Sequence, residues 1–298
     1  MPRQQHNGAA AAQLAEDAPG ARPFLRPFTF PAILAAALFL VALGAVFQYS
    51  VRAFIPGQLA PGGLTLENFA DLAKPVYGWV FIDTVRICAI TAFASLLAGY
   101  PLALALVNAR SRALRGALLV IAVTPLFLGE VVRTYAWIVV LGANGFINSV
   151  LVGLGLVERP VQFMFTELGV VLALVHVTLP LVVIMVAAGL SRIDPNYVKA
   201  ASVLGAGRLR SFLTVTLPLS MPAIVAALTT AFAWTFSAFA TPQLIGGGQV
   251  NMISNLVYQL GFASFNFPFA AALSVAGLVL TFLVLGLFRL ALRPLEKR

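Results

Sequence analysis

Charged side chains and cysteine are both scarce in this sequence of 298 residues. Charged residues make up 10% of it, hydrophobic residues make up 60%, and the mean hydropathy is +0.96. A water-soluble domain of this size would lack the polar surface needed to cover itself, so the composition excludes one. The single cysteine, Cys88, lies in an apolar run, which excludes a disulfide framework and a thiolate metal site.

Sequence motifs for catalysis and cofactor binding are also missing. No segment matches the G-x-x-x-x-G-K-[ST] phosphate-binding loop, and no helix carrying a lysine follows the glycine triplet Gly246–Gly248. The two histidines, His6 and His176, give no support for a histidine metal centre. A membrane-embedded enzyme would need clustered His, Asp or Glu at the ends of its apolar runs, and the sequence lacks such clusters. We therefore expect a chain that is not an enzyme and that binds no metal or cofactor itself.

The net charge of +9 raises the question of a nucleic-acid partner. A surface that binds nucleic acid gathers its basic residues into one patch with aromatic platforms. Here the basic residues lie between apolar runs. We therefore interpret the charge as a sign of membrane topology and predict no nucleic-acid partner.

Six apolar runs are long enough to cross the roughly 30 Å hydrocarbon core of a bilayer as helices, with membrane lipid as their solvent. They cover residues 30–51, 80–107, 116–141, 168–190, 217–240 and 267–290. The first run is too long for the core of a signal peptide and lacks a cleavage site of small residues, so we expect it to remain as a helix. The sequence thus predicts an all-α membrane protein with six transmembrane helices, and a loop over residues 241–266 between the last two.

Both termini are predicted to be cytoplasmic, because basic residues near the ends of spans are retained on that side. Lysines and arginines precede the first span, follow the second and the fourth, and close the chain, whereas most acidic residues lie in the intervening loops. Residues 1–28 are rich in alanine, proline and polar residues, which predicts a disordered cytoplasmic tail. Residues 29–290 are the predicted transmembrane domain, with a cytoplasmic loop at residues 191–216, and residues 291–298 are a second cytoplasmic tail.

This cytoplasmic loop contains a predicted short helix from Pro195 to Leu204. Asp194 supplies a side-chain oxygen as N-cap, and Gly205 is placed to end the helix in a left-handed conformation. The helix surface combines small and apolar side chains, which suit a groove on a partner protein. These side chains are Tyr197, Val198, Ala200, Ala201 and Leu204. Local features alone leave open an ordinary surface helix that links two spans.

A wider pattern resembles the cytoplasmic "EAA" loop of binding-protein-dependent ABC importer permeases. The segment Lys199-Ala200-Ala201 is followed by Gly205 and then by Val215-Thr216-Leu217-Pro218 at the spacing of that family. In the family this loop forms a coupling helix that docks into a cleft of the ATPase subunit. The resemblance assigns that role to Tyr197, Val198, Lys199, Ala200, Ala201, Leu204, Gly205 and Ala206. Lys199 stands where the family usually has glutamate, which inverts a charge at the expected ATPase contact.

Several other segments resemble permeases of the spermidine/putrescine type. They are Thr65–Phe69, Gly99–Leu106, Val131–Asn148, Val175–Pro180 and Ala238–Gly248. The resemblance implies the type I ABC importer permease fold in a bacterial inner membrane. It also implies a second homologous permease in a heterodimer, two separate ATPase subunits that bind ATP and Mg, and a periplasmic solute-binding protein. The expected cargo is a polyamine or a similar amine or amino-acid-like compound.

Ionisable and aromatic side chains within the spans are candidates for the translocation pathway, because charges at membrane depth are costly and seldom present without a function. The candidates are Glu130, Arg133, Tyr135, Trp137, Trp234 and Ser237. Each has a structural alternative: the two charged residues are spaced to form a gate or a packing pair, and aromatic residues commonly anchor the ends of spans.

Three more polar residues invite a structural interpretation. Asp83 and Arg86 lie one helical turn apart in the second span, so they are able to form an ion pair or to contact the solute. His176 is expected to be a hydrogen-bond partner between helices.

The competing function is a secondary transporter driven by an ion gradient. That class tends to show internal repeats and interrupted spans with charges at the midplane, and the sequence shows no such repeat.

Overall fold

The computed structural model describes residues 22–58 and 60–296, with side chains for residues 29–58 and 60–290. The chain divides into two compact units, Met1–Gln48 and Tyr49–Arg298. Helix α1 (Arg22–Ser50) starts in the first unit. Residues 1–21 of the predicted disordered tail lie outside the described residues, whereas residues 22–28 are helical and lengthen the first predicted span.

Helices make up nearly all of the regular structure in the described ranges, where an isolated bridge between Arg52 and Leu64 is the one β pairing. The helices that follow α1 are α2 (Glu67–Leu72), α3 (Pro75–Asn108), α4 (Arg112–Phe127), α5 (Glu130–Leu141), α6 (Phe146–Gly153), α7 (Glu167–Leu190), α8 (Pro195–Val203), α9 (Arg208–Ser211), α10 (Leu217–Leu219), α11 (Met221–Phe236), α12 (Ala240–Gly246), α13 (Ile253–Tyr258) and α14 (Phe267–Glu296). Two π-helical turns, Phe212–Thr216 and Gln259–Ala263, continue α9 and α13. The last helix therefore includes residues 291–296 of the predicted second tail.

Five helical segments of the described chain are long and apolar enough to cross a membrane. They are Thr29–Ser50, Pro75–Asn108, Glu130–Gly153, Glu167–Leu190 and Phe267–Leu290. The pair Arg208–Leu219 and Met221–Phe236, bent by 64°, is a sixth candidate if it counts as one broken span. The prediction of an all-α membrane protein is therefore confirmed, and the structure accommodates the predicted six spans when the bent pair counts as one.

The third predicted span, residues 116–141, is wrong as a single helix. Helix α4 ends at Phe127, the next two residues are extended, and α5 begins afresh at Glu130. Pro125 weakens the last turn of α4 because it lacks an amide proton, and Gly129 follows as the N-cap of α5. The candidate span is instead Glu130–Gly153, built from α5 and α6.

The predicted loop between the last two spans is also wrong, because residues 241–266 are mostly helical. Helix α11 ends at Phe236, and α12 and α13 with its π-helical turn then occupy most of the segment. Met252 and Ile253 are buried there. Its content of glycine and amide residues favours a loop, but the burial of these apolar side chains stabilises short helices that satisfy their own backbone groups.

Helices α3, α7 and α11 pack together as the core of the second unit. The hydroxyl groups of Ser95 and Thr178 hydrogen-bond at 2.5 Å between α3 and α7. Gly99 allows the same two helices to approach, because a Cβ atom at this position would lie 2.9 Å from Cγ1 of Val182. Small residues and hydroxyl contacts of this kind are typical of helix packing in lipid.

The two halves of helix α3 form hydrogen bonds with different parts of the chain. Near its start, Thr84 Oγ1 accepts a hydrogen bond of 3.0 Å from the backbone N–H of Ile253 in α13. Near its other end, the hydroxyl groups of Tyr100 and Ser220 lie 2.8 Å apart, beside the start of α11. Thr84 and Tyr100 are separated by about 24 Å of helical rise. The α12–α13 region and the α8 region therefore lie at opposite ends of this helix.

Candidate functional site

The short helix α8 is capped as the sequence predicts. The carboxylate of Asp194 accepts a hydrogen bond of 2.9 Å from the backbone N–H of Asn196. The helix ends at Val203, one residue before the predicted end, and Gly205 follows with φ of +82°. A left-handed conformation of this kind favours glycine. Asp194 thus bounds the helix through a side-chain hydrogen bond, and Gly205 bounds it through its backbone conformation.

Helix α8 and the residues that follow it present apolar side chains at the surface. No residue of α8 is buried, and the side chains of Val203 and Leu204 are each 87% exposed. Of the predicted coupling residues, Tyr197, Val198, Lys199, Ala200, Leu204 and Gly205 are exposed, and Ala201 and Ala206 are half-buried. Val203 was not among the predicted residues, although its position beside Leu204 could have suggested that it is exposed. Large apolar groups displayed together mark a surface that contacts another molecule.

One connection between α8 and the core runs through the π-helical turn that follows α9. Helix α8 packs against the π-helical turn Phe212–Thr216. The ring of Phe212 meets the ring of Tyr100 edge-on, with their centroids 5.8 Å apart. Tyr100 is in turn hydrogen-bonded to Ser220. A displacement of α8 therefore has a packed route to α3 and α11.

Glu130 and Arg133 do not form the ion pair that their spacing would allow, since no ion pair joins them in the described chain. The guanidinium of Arg133 donates to the carbonyl groups of Pro125 and Leu128 at 2.8 Å and 3.2 Å. Glu130 Oε1 instead accepts a hydrogen bond of 3.3 Å from the backbone N–H of Ala240, at the start of α12. The break between α4 and α5 explains the difference, since it places carbonyl groups without helical partners next to Arg133.

Trp137 is hydrogen-bonded to His176. Its indole N–H donates to Nδ1 of the imidazole at 3.1 Å, and the two rings meet edge-on. This contact joins α5 to α7, which confirms the expectation that His176 is a hydrogen-bond partner between helices. Tyr135, on the same helix, is exposed.

Trp234 and Ser237 lie at the end of α11. Both are exposed, and the hydroxyl of Ser237 donates to the carbonyl of Trp234 at 2.9 Å. Among the residues with described side chains, no hydrogen bond or ring contact connects them to Glu130 or Tyr135. Hydrogen bonds and ring contacts in that part of the chain therefore do not join the six predicted pathway residues into one network.

Arg86 has two carboxylate neighbours. Its guanidinium lies 3.3 Å from Asp83, as the spacing predicts, and 2.5 Å from Glu167 at the start of α7. The second contact was not predicted, because the two residues are far apart in the sequence. The ion pair of Asp83 and Arg86 is thus part of a link between α3 and α7.

A family model described as "Binding-protein-dependent transport system inner membrane component" matches residues 94–297. The chain belongs to this family. The chain is therefore a permease subunit of the ABC importer class in the inner membrane, as predicted, and the ion-gradient alternative is not favoured.

The chain is similar to several proteins that are named as transport system permeases. It is 29% identical over 235 residues to the spermidine/putrescine transport system permease protein PotB of Haemophilus influenzae, covering 79% of this chain and 82% of the relative. The PotB protein of Escherichia coli is also 29% identical, over 78% of this chain and 85% of the relative. The putative 2-aminoethylphosphonate transport system permease protein PhnU of Salmonella typhimurium is 29% identical over 90% of this chain and 93% of the relative.

Solved structures support the predicted fold. A chain in the bacterial alginate ABC transporter complexed with an alginate-bound periplasmic protein matches with a TM-score of 0.67 and 20% identity, over 93% of this chain and 98% of that one. A chain in the inward-facing MetNI methionine ABC transporter matches with a TM-score of 0.57 and 18% identity, over 75% of this chain and 99% of that one. The type I ABC importer permease fold is confirmed.

Proposed function

We propose that the permease forms half of the translocation pathway of an importer for polyamines of the spermidine/putrescine type. The named relatives support this cargo, and the PhnU relative is named for a solute that also carries an amino group. A second, homologous permease would complete the pathway as a heterodimer. Two separate ATPase subunits would bind ATP and Mg, and a periplasmic solute-binding protein would deliver the solute.

The observation that carries the coupling to an ATPase is the exposed helix α8, which has a defined residue at each end. A helix of this length is unstable alone, yet Asp194 and Gly205 define its ends. Its apolar side chains would be buried in a cleft of the ATPase subunit. Closure of the ATPase subunits would move α8, and the contact of Phe212 with Tyr100 would transmit this movement to α3 and α11.

The positive charge of the loop around α8 indicates the charge expected on the ATPase surface that contacts it. Arg192, Lys199, Arg208 and Arg210 are exposed around α8, and Asp194 is the one acidic residue between residues 191 and 216. Asp194 already caps the helix. We therefore expect acidic residues on the ATPase at this contact, and Lys199 would pair with a carboxylate where the family's glutamate would pair with a base.

Docking of the ATPase subunits at α8 would define the orientation of the permease in the membrane. The ATPase subunits act in the cytoplasm, so α8 and both termini would lie on the cytoplasmic side. The α12–α13 region, at the other end of α3, would then face the periplasmic half of the pathway.

The proposal is tested with the two permeases and their ATPase reconstituted in lipid nanodiscs or vesicles. We expect the solute-binding protein loaded with spermidine to stimulate ATP hydrolysis, and uptake of spermidine into vesicles to require ATP. Uptake that runs on an ion gradient without ATP would overturn the importer assignment. Stimulation by other solutes but not by polyamines would overturn the cargo.

Docking through α8 is tested by the substitution Ala200→Trp, which adds a bulky group to an exposed position of the helix. We expect it to reduce the amount of ATPase that co-purifies by about tenfold, because a tight interface does not accommodate the indole. Leu154→Trp, at an exposed position after α6, is the matched control. Equal recovery of the ATPase with both variants would contradict the docking assignment.

A further inference from the structure

A cavity of about 280 Å³ lies between α12, α13 and the π-helical turn that follows α13. Four carboxamide side chains and one phenol line it, and no charged residue is among its lining residues. The five side chains are Gln243, Asn251, Asn255, Tyr258 and Gln259. Such a density of amides is unusual in a chain that is 60% hydrophobic. The cavity is therefore a polar site within an apolar protein.

The orientation of the Asn255 amide is determined by its surroundings. Its Nδ2 group donates to the backbone carbonyl of Phe239 at 3.3 Å and to Oε1 of Gln243 at 2.9 Å. A backbone carbonyl only accepts hydrogen bonds, so the amide cannot be turned around without losing this contact. Asn255 Oδ1 must therefore lie on the other side of the group.

That oxygen has no partner. The side chain of Asn255 is 5% exposed, and within the described chain no donor reaches its Oδ1 atom. A buried acceptor without a donor is costly, and such groups are rare in folded proteins. A ligand that carries hydrogen-bond donors would remove this cost.

A second amide is oriented in the same way. Asn251 Nδ2 donates to the carbonyl of Gly248 at 2.9 Å, which leaves its oxygen available to accept. Both asparagines thus use their Nδ2 donors within the protein, Asn255 on the carbonyl of Phe239 and on Gln243 Oε1, and Asn251 on the carbonyl of Gly248. Their two Oδ1 atoms are the acceptors that remain for a ligand with hydrogen-bond donors.

One aromatic ring, that of Tyr258, lines the cavity, and two other rings pack against it. The ring of Tyr258 lies 4.6 Å from that of Phe239 and 5.0 Å from that of Phe262, stacked on the latter. The face of an aromatic ring carries partial negative charge and attracts cations. The Tyr258 ring lines the cavity beside amide oxygens that accept hydrogen bonds, and this combination suits a protonated amine.

We propose that this cavity binds a protonated amino group of the transported solute at the periplasmic half of the pathway. This inference rests on the proposed function, and it names the chemistry by which the permease would recognise its cargo. Neutral acceptors hold a cation more weakly than carboxylates do, which allows the solute to leave the site as it moves on. An acidic group on a contacting element, Glu130, accepts a hydrogen bond from the N–H of Ala240, next to Phe239.

The test measures binding directly on the purified complex of the two permeases and the ATPase in nanodiscs. Calorimetric titration with putrescine is compared with titration with 1,4-butanediol, which has a similar length but no positive charge. We expect putrescine to bind and butanediol to bind at least tenfold more weakly, since it lacks the attraction to the ring faces. Equal binding of the two compounds, or no binding of putrescine, overturns the inference.

A matched pair of variants locates the site. Tyr258→Phe keeps the ring and is expected to keep the affinity within about threefold, whereas Tyr258→Leu removes the ring and is expected to weaken putrescine binding about tenfold. Phe127→Leu, which removes an 85% exposed ring outside the cavity, is the control. Asn255→Leu should weaken binding as well. Unchanged affinity in Tyr258→Leu overturns the proposed site even if Asn255→Leu fails to fold.

The result is separable from the proposed function. If polyamine uptake by the unmodified transporter requires ATP but Tyr258→Leu binds putrescine normally, the cavity inference fails and the importer function stands. If the complex does not take up polyamines but putrescine still binds in a way that depends on Tyr258, the cargo assignment fails and the amine site stands.

Discussion

The guanidinium of Arg86 in α3 lies 2.5 Å from the carboxylate of Glu167 at the first residue of α7. The side chains are 53% and 35% exposed. An ion pair with this exposure contributes little, roughly 0.5–1 kcal/mol. It connects α3 to the start of α7, and we expect it to help hold the register of these two helices.

A double-mutant cycle checks this role. We expect Arg86→Met and Glu167→Gln each to destabilise the permease slightly, with a coupling of roughly 0.5–1 kcal/mol that diminishes as salt is added. Thermal unfolding in detergent measures it. Loss of uptake in Arg86→Met with unchanged unfolding would indicate that Arg86 contacts the solute instead.

Arg133 stabilises the break between α4 and α5. Its side chain is buried and donates to two carbonyl groups at the end of α4. We expect Arg133→Met to lower the free energy of unfolding by about 2 kcal/mol, because hydrogen bonds from a charged donor are lost and the carbonyl groups remain unpaired. Unfolding in detergent measures the effect, and Val132→Met, at an exposed neighbouring position, is the control. An equal loss in both variants would rule out this role.

The hydrogen bond from Trp137 to His176 is expected to hold α5 against α7. Trp137→Phe keeps an aromatic ring but leaves Nδ1 of His176 without its donor. We expect a loss of about 1 kcal/mol, in the range measured for hydrogen bonds between membrane helices. Trp79→Phe, at a position that is 65% exposed, should change the free energy of unfolding much less.

The N-cap of α8 should affect the ATPase interaction. Asp194→Ala removes the acceptor for the N–H of Asn196 and is expected to destabilise the helix by about 1 kcal/mol, whereas Asp194→Asn keeps an acceptor. Fewer molecules would then present a formed helix to the ATPase, so co-purification should fall in Asp194→Ala and remain close to normal in Asp194→Asn. Equal recovery of the ATPase with both variants would mean that the cap is unimportant for docking.

Close packing of α3 and α7 depends on Gly99. A side chain at this position meets Val182, whereas one at Gly116 in α4 meets nothing within 4 Å. We expect Gly99→Val to destabilise the permease by about 1–3 kcal/mol through overpacking. Gly116→Val, also in a helix, is the matched control, and equal unfolding temperatures of the two variants would contradict the packing argument.

Hydropathy predicted the spans well except where a helix breaks within an apolar segment. The run from residue 116 to residue 141 is continuous in composition, so its length alone predicts one helix. Pro125 and Gly129 marked the break, but each residue also occurs inside membrane helices when neighbouring groups satisfy the backbone. Arg133 supplies that compensation here, and its role depends on three-dimensional contacts.

The amide cavity was visible in the sequence only in part. Asn251, Asn255 and Gln259 are spaced four residues apart, which could have suggested one face of a helix. The segment was instead interpreted as a loop because amide and glycine residues dominate it. The fourth amide, Gln243, comes from another helix, and no spacing rule connects it to the other three.

The sequence by itself determined that the chain is a membrane protein, where most of its apolar spans lie, and which two residues bound helix α8. These properties depend on hydropathy, length and local capping, which act over neighbouring residues. Tertiary structure decided the partner of Arg86, the contacts of Glu130 and Arg133, and the assembly of the amide cavity. Those contacts join distant segments, and their formation depends on how α3, α5, α7 and α12 pack, which no local pattern encodes.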